Sequence, residues 1–499
     1  MKISILTVCS AALLMLASCD LDINDDPNYP GTTDVSPDLQ FPAVENYIAA
    51  SANDIMFNYA GFFAQYFEQM PEANQFNGLA EQTITESSAT IDRAYLNLYA
   101  GALEDIEDIK SRSTNKADLF AATVLRAYAY QLLVDNMGDC PYTEALQGNN
   151  KPMPKWDDGE TVYKGVLDEL DKAEAALDES TDQMTVTDML FNKDLDQWKG
   201  YANALRLRMY LRMYDKDNSV KDKITSLVQE NKFFTGDAAM DIYSNDNDNR
   251  SPFYGSYYAL GTGNHCAAYP IVSYMTATAD PRISYAFNVA SATGKYVGQM
   301  PGAKTIEKEW TTSKDWKNKD VSAVNYELYN NTGATRPAYF FTQANLQFLI
   351  AEVKYRFLND AAGAKAAYEA GVKADFSARG YSAADATTFL AGEAAWDKAA
   401  DKLNLIYMQK WTALFYMDNM EAWSEIRRTD VPALSSHTGE EIYKTPSIYN
   451  PGDLIVPTIN GLEAGGLMKR MFYPQVARNL NDNTPAAKPG NTPVWWDVK

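Results

Sequence analysis

Histidine is almost absent from this 499-residue sequence, with only His265 and His437 present. Multi-histidine zinc or iron sites therefore have little to be built from. Cysteine is nearly as scarce. Cys9 and Cys19 lie in the N-terminal segment, so Cys140 and Cys266 are the one possible pair of the folded body, and the sequence leaves open whether they join. No disulfide framework follows. Basic residues are outnumbered 44 to 66, giving a net charge of −22 at pH 7. Such a surface repels phosphate backbones and anionic headgroups, which excludes nucleic acid as a partner. P-loop, dinucleotide-fingerprint and HExxH motifs are missing. What the chain does have is 46% hydrophobic and 12% aromatic residues. That is enough for a large core, and it excludes a disordered or collagen-like protein.

The one long apolar run is at the start, where Lys2 precedes Ile3 to Ala17, a segment of signal-peptide length too short to span a membrane in the mature chain. Leu16-Ala17-Ser18-Cys19 resembles the lipobox of bacterial lipoproteins. The resemblance implies removal of residues 1–18, diacylation of Cys19, attachment to the membrane through lipid alone, and work outside the cytoplasm. An ordinary secretory peptide with a chance cysteine is the competing reading. Residues 19–40 begin Asp20-Leu21-Asp22-Ile23-Asn24-Asp25-Asp26-Pro27, acidic and without period, and read as an extended tether.

From residue 41 the pattern turns helical. In 120–137 two ridges at spacing four, Phe120-Val124-Tyr128-Leu132 and Ala121-Leu125-Ala129-Leu133, make a broad apolar face that Gly138 and Pro141 bring to an end. Similar periodicity marks 41–69, 88–112, 160–178, 195–214, 342–358, 361–377 and 397–427. Adjacent helices that each bury one face are the unit of a helical repeat array, and about four pairs can be counted. No strict tetratricopeptide consensus can be written. Residues 235–340 and 430–499 break the pattern, being rich in Gly, Asn, Pro and aromatics, and read as loop-rich. The expected fold class is mostly α: paired helices packed against an irregular half, with 41–499 as a single domain.

Several segments together carry a family resemblance: Asp22-Ile23-Asn24-Asp25-Asp26-Pro27-Asn28 after the lipobox, Leu125-Arg126-Ala127-Tyr128 leading to Gly138-Asp139-Cys140-Pro141-Tyr142, Lys410-Trp411-Thr412-Ala413-Leu414-Phe415 with Glu421-Ala422-Trp423, and the terminal Val494-Trp495-Trp496-Asp497. They resemble the SusD-like (SusD/RagB) outer-membrane lipoproteins, closest to the branch described as starch-binding and outer-membrane-associated. The resemblance implies four tetratricopeptide-like helix pairs, no catalysis, and capture of oligosaccharides, or of peptides in some members, at the cell surface. It also implies a SusC-like TonB-dependent transporter as partner. Cys140 departs from the small apolar residue usual between that Asp and Pro.

A helical glycoside hydrolase is the more distant alternative, since that chemistry needs only two carboxylates at a set separation. Nothing in the sequence singles out such a pair. His265 beside Cys266 is the only local pairing of imidazole and thiol, and neighbours in sequence need not face each other. A glycan binder needs rings for the C–H faces of sugars and amides for the hydroxyls. Tyr254, Tyr257 and Tyr258 in one loop, Trp310 and Trp316 in another, and Gln75-Phe76-Asn77 after the first helix are the candidates. The expectation is that these rings are exposed and that removing Trp310 or Trp316 leaves stability nearly unchanged. Asp246 and Asp248 in Asn245-Asp246-Asn247-Asp248-Asn249 are weak candidates for a structural calcium, lacking the flanking helices and terminal Glu of a calcium loop. No other cofactor is expected.

Overall fold

The computed structural model describes residues 35–178, 181–254, 263–303, 310, 316–325, 333–463 and 465–499. The signal segment, Cys19 and most of the tether lie outside these residues. Helix begins at Pro37, taking up the last four residues of the expected tether, because proline at the first helical positions suits the fixed φ and missing N–H.

Side-chain caps start the long helices. Asn115 accepts hydrogen bonds from the Ala117 and Asp118 N–H groups at the head of Lys116–Met137, and Asp158, Asp194, Thr342, Asp360, Asp401 and Asp418 do the same for the helices they precede. Gly138, at φ +86°, ends Lys116–Met137 in a conformation that L side chains rarely adopt. This helix is buried nearly all round, as expected of one at the centre of an array.

Four pairs build the array. Pro37–Ala50, continued through a π turn into Met56–Phe63, packs on Asn97–Leu103 and Glu104–Arg112; Lys116–Met137 packs on Gly159–Ala175, Leu195–Tyr214 on Lys221–Glu230, and Gln343–Arg356 on Ala361–Ala378. A further pair, Lys402–Leu414 and Asn419–Thr429, touches Gln343–Arg356 with its first helix and Met56–Phe63 with its second, joining the fourth unit to the first. The periodic stretch 397–427 is therefore two helices. Tyr416 takes φ +62° at the break, and Asp418 recaps the chain by accepting from the Glu421 N–H. Likewise 41–69 stops at Phe63, and Phe67–Gln69 leaves it as a strand.

The irregular half is stitched by two small antiparallel sheets, Phe67–Gln69 with His265–Ala267 and Ala238–Met240 with Ala338–Phe341. It also holds a nine-residue helix, Tyr269–Ala277, which the apolar, β-branched sequence concealed. Among the described residues no helix is long and apolar enough to cross a membrane. Cys140 and Cys266 are both buried and both remain thiols, which settles that they do not pair.

Buried ion networks connect the helices. Arg212 reaches Asp135 at 2.6 Å and also bonds Glu421, so three helices meet on one guanidinium. Asp418 lies beside this network and carries a measurable consequence. Burial raises its carboxyl to about 6, against partial relief from Arg208 and a further rise from Glu421. A carboxyl whose folded pKa lies above its unfolded value binds an extra proton in the folded state, so its ionisation removes stability as pH rises between about 4 and 6. Asp418→Asn keeps an acceptor for the helix cap and is expected to stabilise the chain by about 2 kcal/mol at pH 7.5, with the gain shrinking to nothing near pH 4. Denaturant melts across that pH range test this; a gain that does not vary with pH would refute it.

Candidate functional site

The sheet of Phe67–Gln69 with His265–Ala267 organises the loop-rich face. Gln69, buried, holds the turn that follows it: its Oε1 accepts the Phe76 N–H at 2.5 Å and its Nε2 donates to the Asn264 carbonyl at 3.0 Å. The turn is then locked to a neighbouring loop by a reciprocal pair, Glu72 N–H to Asn318 Oδ1 at 3.0 Å and Asn318 N–H to Glu72 Oε2 at 3.1 Å. Met70, Cys266 and Val321 form a small apolar cluster under this junction, with Ala73 and Trp316 against it. Two of the expected patches, 75–77 and 316, are thereby brought together.

Trp316 is half-buried, and its Nε1 donates to Gln299 Oε1 at 2.7 Å, fixing the ring. Gln299 is itself anchored, its N–H on the Ala267 carbonyl and its own carbonyl accepting from Tyr269. Tyr443 meets Trp316 edge-on at 6.5 Å and Trp310 at 5.6 Å, and is half-buried like Trp316. Sequence reading missed Tyr443 because it sits on a six-residue helix, Gly439–Lys444, in a stretch without period. A signal existed: Thr438-Gly439-Glu440-Glu441 is a capping box, and the structure forms both of its hydrogen bonds. Exposed Gln75 and Asn74 supply amides on the same turn, and Asn77 is half-buried at the start of the short Asn77–Ala80 helix.

Three candidate rings are not platforms. Trp310 is buried, packed with Met300, Ile442, Tyr449 and Ile455, so the expectation that it is an exposed ring is corrected: it supports Tyr443 from beneath. Phe76 is buried too, stacked on His265 at 4.7 Å and 7° between planes, because its ring completes the cluster around Phe62 and Phe67. Tyr254 is buried, with the Arg250 guanidinium 4.6 Å from its ring centre. Tyr257 and Tyr258 lie outside the described residues.

His265 and Cys266 are neighbours on a strand, so their side chains leave on opposite faces and no imidazole–thiol dyad forms. Burial drives the His265 pKa down to about 3, so the ring is neutral at physiological pH, within 3.0 Å of Asn58 Oδ1. Asp246 and Asp248 are exposed in a turn closed by the Ser244 N–H on the Asn249 carbonyl and by the Ser244 hydroxyl on Asp246. Among the described residues no group of three or more His, Cys, Asp or Glu is placed to hold a metal ion.

Fold and face together define a helical-repeat scaffold that carries a surface of rings and amides on its irregular side. Residues 39–448 match the SusD-like family described as "Starch-binding associating with outer membrane", and the chain belongs to that family. Its fold matches a SusD/RagB family protein from Bacteroides thetaiotaomicron with a TM-score of 0.72 at 21% identity, covering 93% of this chain and 99% of that one. A chitin-binding SusD homologue from Flavobacterium johnsoniae superposes with a TM-score of 0.68 at 22% identity, covering 93% and 96%. A SusD homologue from Bacteroides vulgatus does so with 0.69 at 22%, covering 92% and 97%. No curated protein matches the chain.

Proposed function

We propose that this chain is a surface-exposed lipoprotein, anchored at Cys19 in the outer membrane, that captures oligosaccharides without cleaving them and hands them to a SusC-like TonB-dependent transporter. The observation that carries the reading is membership of a family described as starch-binding and outer-membrane-associated. Structural relatives named as chitin-binding support it. The face formed by Trp316, Tyr443, Gln75 and Asn74 has the chemistry a sugar requires, flat rings beside amide donors and acceptors.

The test is a glycan array followed by calorimetry on the soluble form lacking residues 1–19. A ring stacked on a sugar contributes about 1–2 kcal/mol, so Trp316→Ala and Tyr443→Ala are each expected to weaken the best glycan about tenfold. Trp310→Ala acts differently. Emptying its small core is expected to lower stability by about 3 kcal/mol, with any loss of affinity following from the displaced Tyr443. Unchanged affinity in both the Trp316 and the Tyr443 variant would move the site elsewhere, and turnover of the glycan during titration would overturn the binding-only reading.

A further inference from the structure

A cavity of about 350 Å³ opens beside the C-terminal end of the Asn419–Thr429 helix. Phe63, Trp423, Ile426 and Met468 line it with Leu454. Leu454 and Ile455 are consecutive in an extended segment, so their side chains part: Leu454 lines this cavity while Ile455 packs under Trp310. The cavity is therefore distinct from the ring-and-amide face. Its size falls within the range of small-ligand pockets, and its lining is mostly apolar.

Sugar does not suit it. Trp423 is 1% exposed, and the Arg427 guanidinium lies 3.8 Å from its ring centre, so no ring face is left for stacking. The two cations at the cavity are committed elsewhere. Arg427 donates to the carbonyls of Trp423, Asp135 and Lys469 and to the Ser424 hydroxyl, while the Lys469 ammonium sits 2.9 Å from the Asp497 carboxylate. Asp430 is the remaining charge. It is exposed at the rim, and among the described residues no cation lies within ion-pair reach of it. It follows the helix directly as its C-cap, so the negative end of the helix dipole adds to its field. Asp497 is close enough to Asp430 that the Asp430 charge helps raise its pKa, behind the larger effect of burial.

We infer that this cavity binds a small amphiphilic cation: an apolar group of about the size of a leucyl or phenylalanyl side chain carrying an ammonium. The apolar group fills the space over Ile426, Leu454 and Met468, and the ammonium pairs with Asp430 at the rim. Two sources share this chemistry, a free amine and the N-terminus of a peptide.

The experiment uses the full chain in nanodiscs of neutral lipid, with empty nanodiscs as the blank, titrated at pH 6.5 in a calorimeter. Probes are phenethylamine, the peptide amide Phe-Gly-Gly, 2-phenylethanol and 3-phenylpropanoate. At least one cationic probe is expected to bind with a Kd below about 1 mM, more tightly than the alcohol, with the propanoate weakest. Binding by the peptide alone assigns the site to a chain N-terminus, and binding by phenethylamine alone to free amines. Asp430→Asn, an exposed change that leaves the core intact, is expected to weaken the cation about fivefold and leave the alcohol unchanged. Leu454→Trp, which fills the space, removes binding of all probes. Failure of both cations to bind, equal binding of the propanoate, or an Asp430→Asn affinity within about twofold of the parent would each overturn the inference. Glycan affinity at the ring-and-amide face is expected to be the same in both variants, so the two sites are judged separately.

Discussion

Replacing Arg428 with Met is expected to lower the stability of the folded chain by about 3–5 kcal/mol, enough in a marginally stable protein to reduce its yield severely. Arg428 is 3% exposed and clamps two carboxylates, Glu352 at 2.8 and 2.6 Å and Glu425 at 2.9 and 2.6 Å. Burial opposes the charge of both acids, yet Arg428 first, then Lys410, holds the Glu425 carboxyl well below the usual range, and Arg428 also lowers that of Glu352. Losing the guanidinium leaves two ionised groups in the interior, with Lys410 and Arg356 in ion-pair contact and Arg212 acting on Glu425 from further off. Arg428→Lys is expected to recover little, because one ammonium cannot span both carboxylates. Acid should mimic the mutation: a carboxyl whose folded pKa is depressed contributes stability that is present above its unfolded pKa, about 4.3, and is lost as pH falls below it. Denaturant titration of parent and variants measures this, and a loss under about 1 kcal/mol would show that the clamp holds geometry rather than stability.

Cys19→Ala is expected to transfer the protein almost completely from the membrane to the soluble fraction. Acyl chains on one residue are the only membrane attachment proposed for this chain, and without them no affinity for the bilayer remains to be built on. An acidic body gains nothing from anionic lipid. Retention in the membrane fraction after the substitution would point to a protein partner as the holding element. Protease treatment of intact cells then decides the face: Asp20 would favour inner-membrane retention in enteric bacteria, whereas the acidic stretch behind it resembles a surface-export signal, and cleavage of the parent protein supports surface display.

The helical array was legible wherever burial is one-sided or complete over many turns. Phe120 to Met137 announced itself through its spacing and through Gly138, and the structure adds a first turn from Lys116 and the cap at Asn115. The single stretch 397–427 hid a break, since Leu414, Phe415, Tyr416 and Met417 stay apolar through a left-handed residue and only Asp418 hints at a restart. In the irregular half the sequence could name aromatic residues but not their exposure. Phe76 and Trp310 looked like Trp316 in composition; what separates them is long-range packing, Phe76 against His265 and Trp310 against residues near 442–455. The cavity at Asp430 left no trace in any local pattern, because its walls come from segments as distant as Phe63 and Met468.

The pair formed by Lys402–Leu414 and Asn419–Thr429 touches both the fourth unit and the first, and the tail reinforces it: Trp496 donates to Asp135 at 2.9 Å, and its ring stands 5.0 Å from the Arg427 guanidinium. An open repeat array can fray from either end, one unit at a time, because each unit meets only its neighbours. Here the ends are tied through the last hundred residues of the chain, so no unit is terminal and none is free to peel away first.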